Sequence, residues 1–359
     1  MSNKKKVPMI PHSKQQVMQM PHPQQQQIPK LSSTMLDKMV DGREFESLLN
    51  YQYVNFDFVA EIRKSIQEIK AIRHRPVVCY VTNVVKQMNS SISIDDSDDL
   101  PFNEMIASLP EDAREIDIVL VTPGGFAHQV AKFVNKLRPR FDNICFIILN
   151  KAMSAGTILI SSGDEIIMTN QSQIGPVDPQ VRTKSGEFVP AQAILTLIDE
   201  IKVRGEALLR VGLKPAWTDL QILNNMDSKE IGNAMNASNY SIQLVEQYLY
   251  NYKFKNWNIH SDGITPVSDM DKRQRANEIA IMLCDHSKWK NHGHAITREA
   301  AWDVCKLKIV HAESIAGLDK AMRRMWALYY WLFENLTITK FFLSENYCIM
   351  RNDKNGEKK

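Results

Sequence analysis

Short, nearly unbroken apolar runs alternate with longer stretches in which apolar residues return every three or four positions. Four runs stand out: PVVCYVT (76–82), IDIVLVT (116–122), CFIIL (145–149) and EIIM (165–168). They are brief and rich in β-branched residues. They predict strands buried on both faces, the mark of a parallel sheet. Residues 56–73 predict a helix, with Phe58, Ile62, Ile66 and Ile69 on one stripe. Residues 126–137 predict another, through Phe126, Val130, Phe133, Val134 and Leu137. Strands and helices in alternation predict a right-handed parallel α/β core. From about residue 190 the pattern is mainly helical, most clearly over 190–212. It closes with an aromatic helix at 315–335 and a hairpin around 339–350. The richest part of that helix, AMRRMWALYYWLF, reads as core packing, with a subunit contact as the alternative.

These patterns divide the chain. Residues 1–33 are polar and rich in Gln and Pro; they lack the apolar density to offset ordering entropy and predict a disordered tail. A helical segment (34–75), an α/β core (76–200), a mainly helical part of the same domain (201–350) and a flexible tail (351–359) follow. The net charge of +3 is close to balance. With no P-loop, dinucleotide fingerprint or RNA-binding signature, no nucleic-acid partner is expected. Five dispersed cysteines without a C-x-x-C pair read as reduced core thiols of a cytoplasmic protein. No apolar stretch reaches about 18 residues, so no membrane span is expected. Cys284, His286, His292 and His294 fit no standard zinc spacing, and neither metal nor cofactor is expected.

The chemistry gathers where predicted strands end. After 116–122 comes VTPGGFA (121–127). Pro123 sets the turn, and Gly124 and Gly125 admit backbone conformations closed to other residues. The helix that starts there leaves first-turn N–H groups unpaired, able to hold an anion or a developing oxyanion. After 145–149 comes NKAMSAGTIL (150–159). Ser154 there is either a helix cap or a nucleophile, for which Ala155 and Gly156 leave room. If both turns meet at the carboxyl ends of the strands, the N–H groups of Gly125 and Ala155 would converge on one carbonyl oxygen. A third loop, SQIGPVDPQV (172–181), carries Asp178, either a loop-stabilising carboxylate or a member of the same site.

The set T-P-G-G, A-M-S-A-G-T and G-P-V-D-P-Q, in this order, resembles the serine dehydrogenase proteinase family. That family belongs to the Clp-protease and crotonase-like superfamily and is related to signal peptide peptidase A. The close part of the resemblance covers about 116–181; a looser part runs from about 76 to 345 and includes HGHAIT (292–297). It implies an α/β fold with a Clp/crotonase-like parallel sheet core of ββα units and a helical C-terminal extension. It also implies a serine peptidase that hydrolyses peptide or protein substrates, with Ser154 as nucleophile. Gly125 and Ala155 would supply the oxyanion hole, Gly124 and Gly156 would shape the turns, and a homo-oligomer is implied.

The general base stays open at this stage. The Clp subunit has a His after the strand that follows the nucleophile helix; here that place reads IGPVDPQ (174–180). Signal peptide peptidase A uses a downstream Lys. The candidates are Lys184, Lys202 and Lys214, of which Lys202, between Ile201 and Val203, would be the desolvated base. His292 and His294 are the alternative base, Asp178 the candidate orienter, and His128 lies near the Gly-Gly turn. Two other readings share the fold: a crotonase-type acyl-CoA enzyme, and a non-catalytic scaffold.

Overall fold

The computed structural model describes residues 35–49, 57–184, 186–289 and 293–353. Both expected tails, at 1–33 and 351–359, lie outside these residues except for 351–353. The chain from Met35 onward forms one compact unit.

In chain order its main elements are α1 (Phe58–Arg73), β1 (Val77–Thr82), α2 (Asp99–Ala107), β2 (Glu115–Thr122), α3 (Ala127–Leu137), β3 (Asn143–Ala152), α4 (Ala155–Ser161), β4 (Glu165–Met168) and β5 (Gln173–Ile174). Then come β6 (Gln180–Arg182), β7 (Phe188–Pro190), α5 (Ala191–Arg210), α6 (Trp217–Asn225), α7 (Ser228–Tyr248), α8 (Asp269–Cys284), β8 (Val310–His311), α9 (Leu318–Asn335), β9 (Ile338–Leu343) and β10 (Cys348–Asn352). The main sheet runs β10-β9-β1-β2-β3-β4-β8, with β5 added beside β3. Strands β1 to β4 and β8 are parallel; the expected C-terminal hairpin, β9 with β10, joins β1 antiparallel at the edge. β6 and β7 pair separately as a small hairpin.

The apolar runs are continuous because helices cover both faces. Successive side chains in a strand point to opposite sides. Val78, Tyr80, Ile118, Leu120, Phe146 and Ile148 therefore join one core, with Phe102 and Phe133 from α2 and α3. Val77, Cys79, Val119, Val121, Cys145 and Ile147 join the other, with Ile62, Ile66 and Ile69 of α1 and Met325, Leu328 and Leu332 of α9. The aromatic helix α9 is thus a core element. α1 begins where Asp57 accepts a bond from the Ala60 N–H, an N-cap.

Strand β3 outruns its apolar run. The pattern stops at Leu149, yet β3 continues to Ala152. Lys151 and Ala152 find backbone partners in Gln173 and Ile174 of β5, and Ala152 is opposite Thr122 of β2. Those partners lie far away in sequence, so local hydropathy carries no sign of the extension.

Candidate active site

The site is made where neighbouring strands β2 and β3 end side by side. Met153 N–H donates to Thr122 O at 3.1 Å, tying the two exits together. A Cβ built on Gly124, whose φ is +103°, would lie 2.7 Å from Met153 O and 3.2 Å from Ala155 N. Only glycine lets the turns approach this closely. At Gly156 the same test meets Thr122 Cγ2 at 2.6 Å. Both glycines therefore shape the turns by leaving out a side chain.

Ser154 occupies the N-cap position of α4 with φ 49° and ψ −114°, and its side chain makes no capping bond. An uncapped serine held in a sparsely populated backbone conformation is strained, and strain of this kind is kept by surrounding structure. The fold supplies that restraint through Thr157. Its hydroxyl lies 3.0 Å from Ala152 O and 2.7 Å from Gly175 O, pinning the start of α4 between β3 and the loop after β5. The hydroxyl of Ser154 is left facing a cleft of about 250 Å³, which Gly125, Phe126, His128, Ile158, Val177 and Tyr240 also line.

Two other residues lining this cleft, Gly125 and Ala155, carry N–H groups without an acceptor. Gly125 N and Ala155 N donate to no acceptor among the described residues, whereas Gly124 N–H is taken by Thr122 Oγ1 at 3.1 Å and Gly156 N–H by Met153 O at 2.7 Å. Both belong to turns that the Gly124 approach holds close together. Unpaired, preorganised donors at a helix start favour developing negative charge.

A clamp holds the Gly125 turn from the far side. Ile94 N–H donates to Gly124 O at 2.7 Å and Phe126 N–H donates to Ile94 O at 2.9 Å. A Cβ on Gly125 would lie 2.2 Å from Ile94 O. The Ile94 segment is in turn anchored by Lys340, which is 1% exposed in β9. Its Nζ lies 2.6 Å from Ser93 O, 3.1 Å from Asp95 and 2.9 Å from Asp98, and Tyr80 OH donates to Asp98 at 2.7 Å. Burial pushes the Asp98 carboxyl above its ordinary range, against the opposing pull of Lys340. The sequence reading assigned no role to this clamp. Its one visible signal is a lysine inside the otherwise apolar β9, ITKFFL.

The candidate bases separate. Lys202 is not desolvated: α5 turns Ile201 inward and leaves Lys202 exposed, with Val203 beside it 59% exposed. Lys214 is exposed, and Lys184 pairs with Asp227 at 2.9 Å. Asp178 is buried, and its neighbours Val177 and Pro179 line the cleft. Its charge acts on Cys284, whose thiol burial in the first place, and Asp178 in the second, push up to about 12. His292 lies outside the described residues; His294 is exposed against Trp289, with ring centroids 5.1 Å apart. His128 lines the cleft.

A mostly parallel α/β sheet with a strained serine on a strand-to-helix turn at the carboxyl ends of its strands defines the structural class. Sequence comparison narrows the class. The family model for ClpP-like SDH-type serine proteinases matches residues 53–233, half of the chain, and the chain belongs to that family. Two uncharacterized proteins of Methanocaldococcus jannaschii are similar over shorter stretches. MJ0137 is 31% identical over 109 residues, 30% of this chain and 35% of the relative. MJ1495 is 36% identical over 104 residues, 29% of this chain and 33% of the relative. The matches thus span about a third of each relative's length. Among solved structures, a mutant of the 1510-N membrane-bound stomatin-specific protease matches with 14% identity and a TM-score of 0.34. That match covers 61% of this chain and 74% of the other, and the likeness is too weak to carry an argument.

Proposed function

We propose that the protein is a serine peptidase that cleaves peptide bonds through an acyl-enzyme on Ser154. The observation that carries this reading is the uncapped Ser154 at φ 49°, beside the free N–H groups of Gly125 and Ala155. In the first step Ser154 Oγ attacks the substrate carbonyl carbon, and the carbonyl oxygen, now negative, accepts from both N–H groups. The C–N bond then breaks, the amine leaves with a proton, and water releases the acyl group from Oγ. A cap serine would gain nothing from strain; a nucleophile gains a fixed place on the wall of the cleft.

The family and the cleft together favour protein or peptide substrates. Phe126, Ala127, Ile158, Val177 and Ala237 give the cleft an apolar wall, suited to an apolar side chain next to the cut bond. No helix among the described residues is long and apolar enough to cross a membrane. Five free cysteines accord with a reducing compartment such as the cytoplasm. Exposed apolar residues on α5, α6 and the segment between them, including Val203, Leu209, Leu213, Trp217 and Leu220, are where we expect a second copy to pack.

A fluorophosphonate probe, which reacts with activated serines, tests the central claim. The wild-type protein should label once per chain at Ser154, and Ser154→Ala should label not at all and cleave no peptide. Labelling or turnover that survives in the variant refutes the assignment.

A further inference from the structure

We propose that Ser241 selects the substrate: its hydroxyl favours threonine or serine as the residue whose carbonyl Ser154 attacks. The inference rests on the peptidase reading, with Ser154 as nucleophile.

It starts from the buried serines. Ser65, Ser161, Ser162 and Ser172 each donate to a backbone carbonyl within 2.8 Å. Ser238 accepts from Gln192 at 2.7 Å, and Ser344 meets Ser108 at 2.7 Å. Ser154 and Ser241 are also buried, 7% and 1% exposed, yet among the described residues neither hydroxyl has a partner. Both line the same cleft. A buried hydroxyl left unpaired costs free energy, so its place needs another reason.

Ser241 lies on α7. A serine inside a helix can turn its hydroxyl back to the carbonyl four residues earlier, as Ser161 does with Thr157 O. Ser241 makes no such bond, and its hydroxyl is left to the cleft. Among the polar side chains lining that cleft, His128, Gln180 and Tyr240 are exposed, whereas Ser154 and Ser241 are buried. Ile158, Val177 and Ala237 supply apolar lining. The family match ends at residue 233, so the Ala237–Ser241 turn of this wall lies outside it.

An apolar wall with one buried hydroxyl suits a side chain that is apolar but for one hydrogen-bonding group. At about 250 Å³ the cleft is smaller than the roughly 300–1,000 Å³ of pockets for drug-sized ligands, and it takes a small side chain. The residue whose carbonyl is attacked has its Cβ two bonds from the reacting carbon, nearer than any other substrate side chain. Threonine fits both demands: its methyl goes to the apolar wall and its hydroxyl to Ser241. Valine has the same shape but leaves the Ser241 hydroxyl unpaired and shut off from water.

The test is a mixture of peptides cut by the full chain, with the cut positions read by mass spectrometry. Relative to their abundance, threonine and serine should precede the cut about 10-fold more often than valine and alanine. Ser241→Ala removes a hydroxyl that the fold does not use. It should melt like the wild type while the Thr-to-Val ratio falls about 10-fold. Two peptides differing only in Thr or Val before the cut should show the same ratio in kcat/KM. A wild-type Thr-to-Val ratio within twofold of one overturns the proposal. So does a ratio that Ser241→Ala leaves unchanged, or a lowered Tm in that variant, which would assign Ser241 to the fold. Failure of the peptidase reading looks different: the wild type then cuts no peptide, or Ser154→Ala cuts as the wild type does.

Discussion

Replacing Lys340 by Met keeps the length of the side chain and removes its charge. Lys340 is 1% exposed and Asp98 is fully buried. The Nζ lies 2.9 Å from both Asp98 carboxylate oxygens and 3.1 Å from Asp95. Removing one partner of a buried pair leaves the other charge uncompensated, at a cost of about 3–5 kcal/mol. That is a large share of the roughly 5–15 kcal/mol that holds a typical protein folded. In a unit of this size it lowers the Tm by roughly 5–10 °C. The effect depends on pH, and its sign follows from Asp98. Burial already raises this carboxyl above its ordinary 3.8. A carboxyl raised in the folded state favours folding below its unfolded pKa, and that contribution is lost as pH rises through the folded value. Without Lys340 the rise is larger. The variant should therefore lose most at pH 7 and recover as the pH approaches 4. Urea melts at the two pH values measure this, and Lys340→Met/Asp98→Asn should regain part of the loss at pH 7. An unchanged midpoint at pH 7, or an equal loss at both pH values, would refute the argument. Labelling of Ser154 should slow as well, because Lys340 anchors the segment that clamps Gly125.

Two further outcomes are expected. Gly125→Ala must place its Cβ where Ile94 O lies 2.2 Å away, at φ +146°, so the oxyanion turn must shift. A displacement of about 1 Å at a catalytic group costs about 100-fold, and a labelling rate within twofold of wild type would contradict the assignment. Trp217, 75% exposed on α6, lies among the apolar residues assigned to a second copy. Sedimentation should find the wild-type chain larger than a monomer and Trp217→Glu monomeric; a monomeric wild type would end that reading.

The local content of the sequence reached a long way. The β-branched runs at 76–82, 116–122, 145–149 and 165–168 became β1 to β4 because a strand buried on both faces needs apolar residues at every position. The stripes at 58–69 and 126–137 became α1 and α3 because one helical face meets the sheet, except that Phe126 lies at the N-cap of α3, 48% exposed and off the buried stripe. The motifs also named Gly124, Gly125, Ser154 and Ala155, since glycine and small residues mark places where backbones must approach.

Tertiary structure decided what depends on distant partners. Register between β2 and β3 brings the two turns together, with the N–H groups of Gly125 and Ala155 unpaired among the described residues. Lys202, between two apolar residues in sequence, is exposed because a helix turns each residue about 100° from the last and only Ile201 meets the core. Lys340 and Asp98 are 242 residues apart. That pair has no local signature, because hydrogen bonds and ion pairs act over a few ångströms of space and carry no memory of separation along the chain.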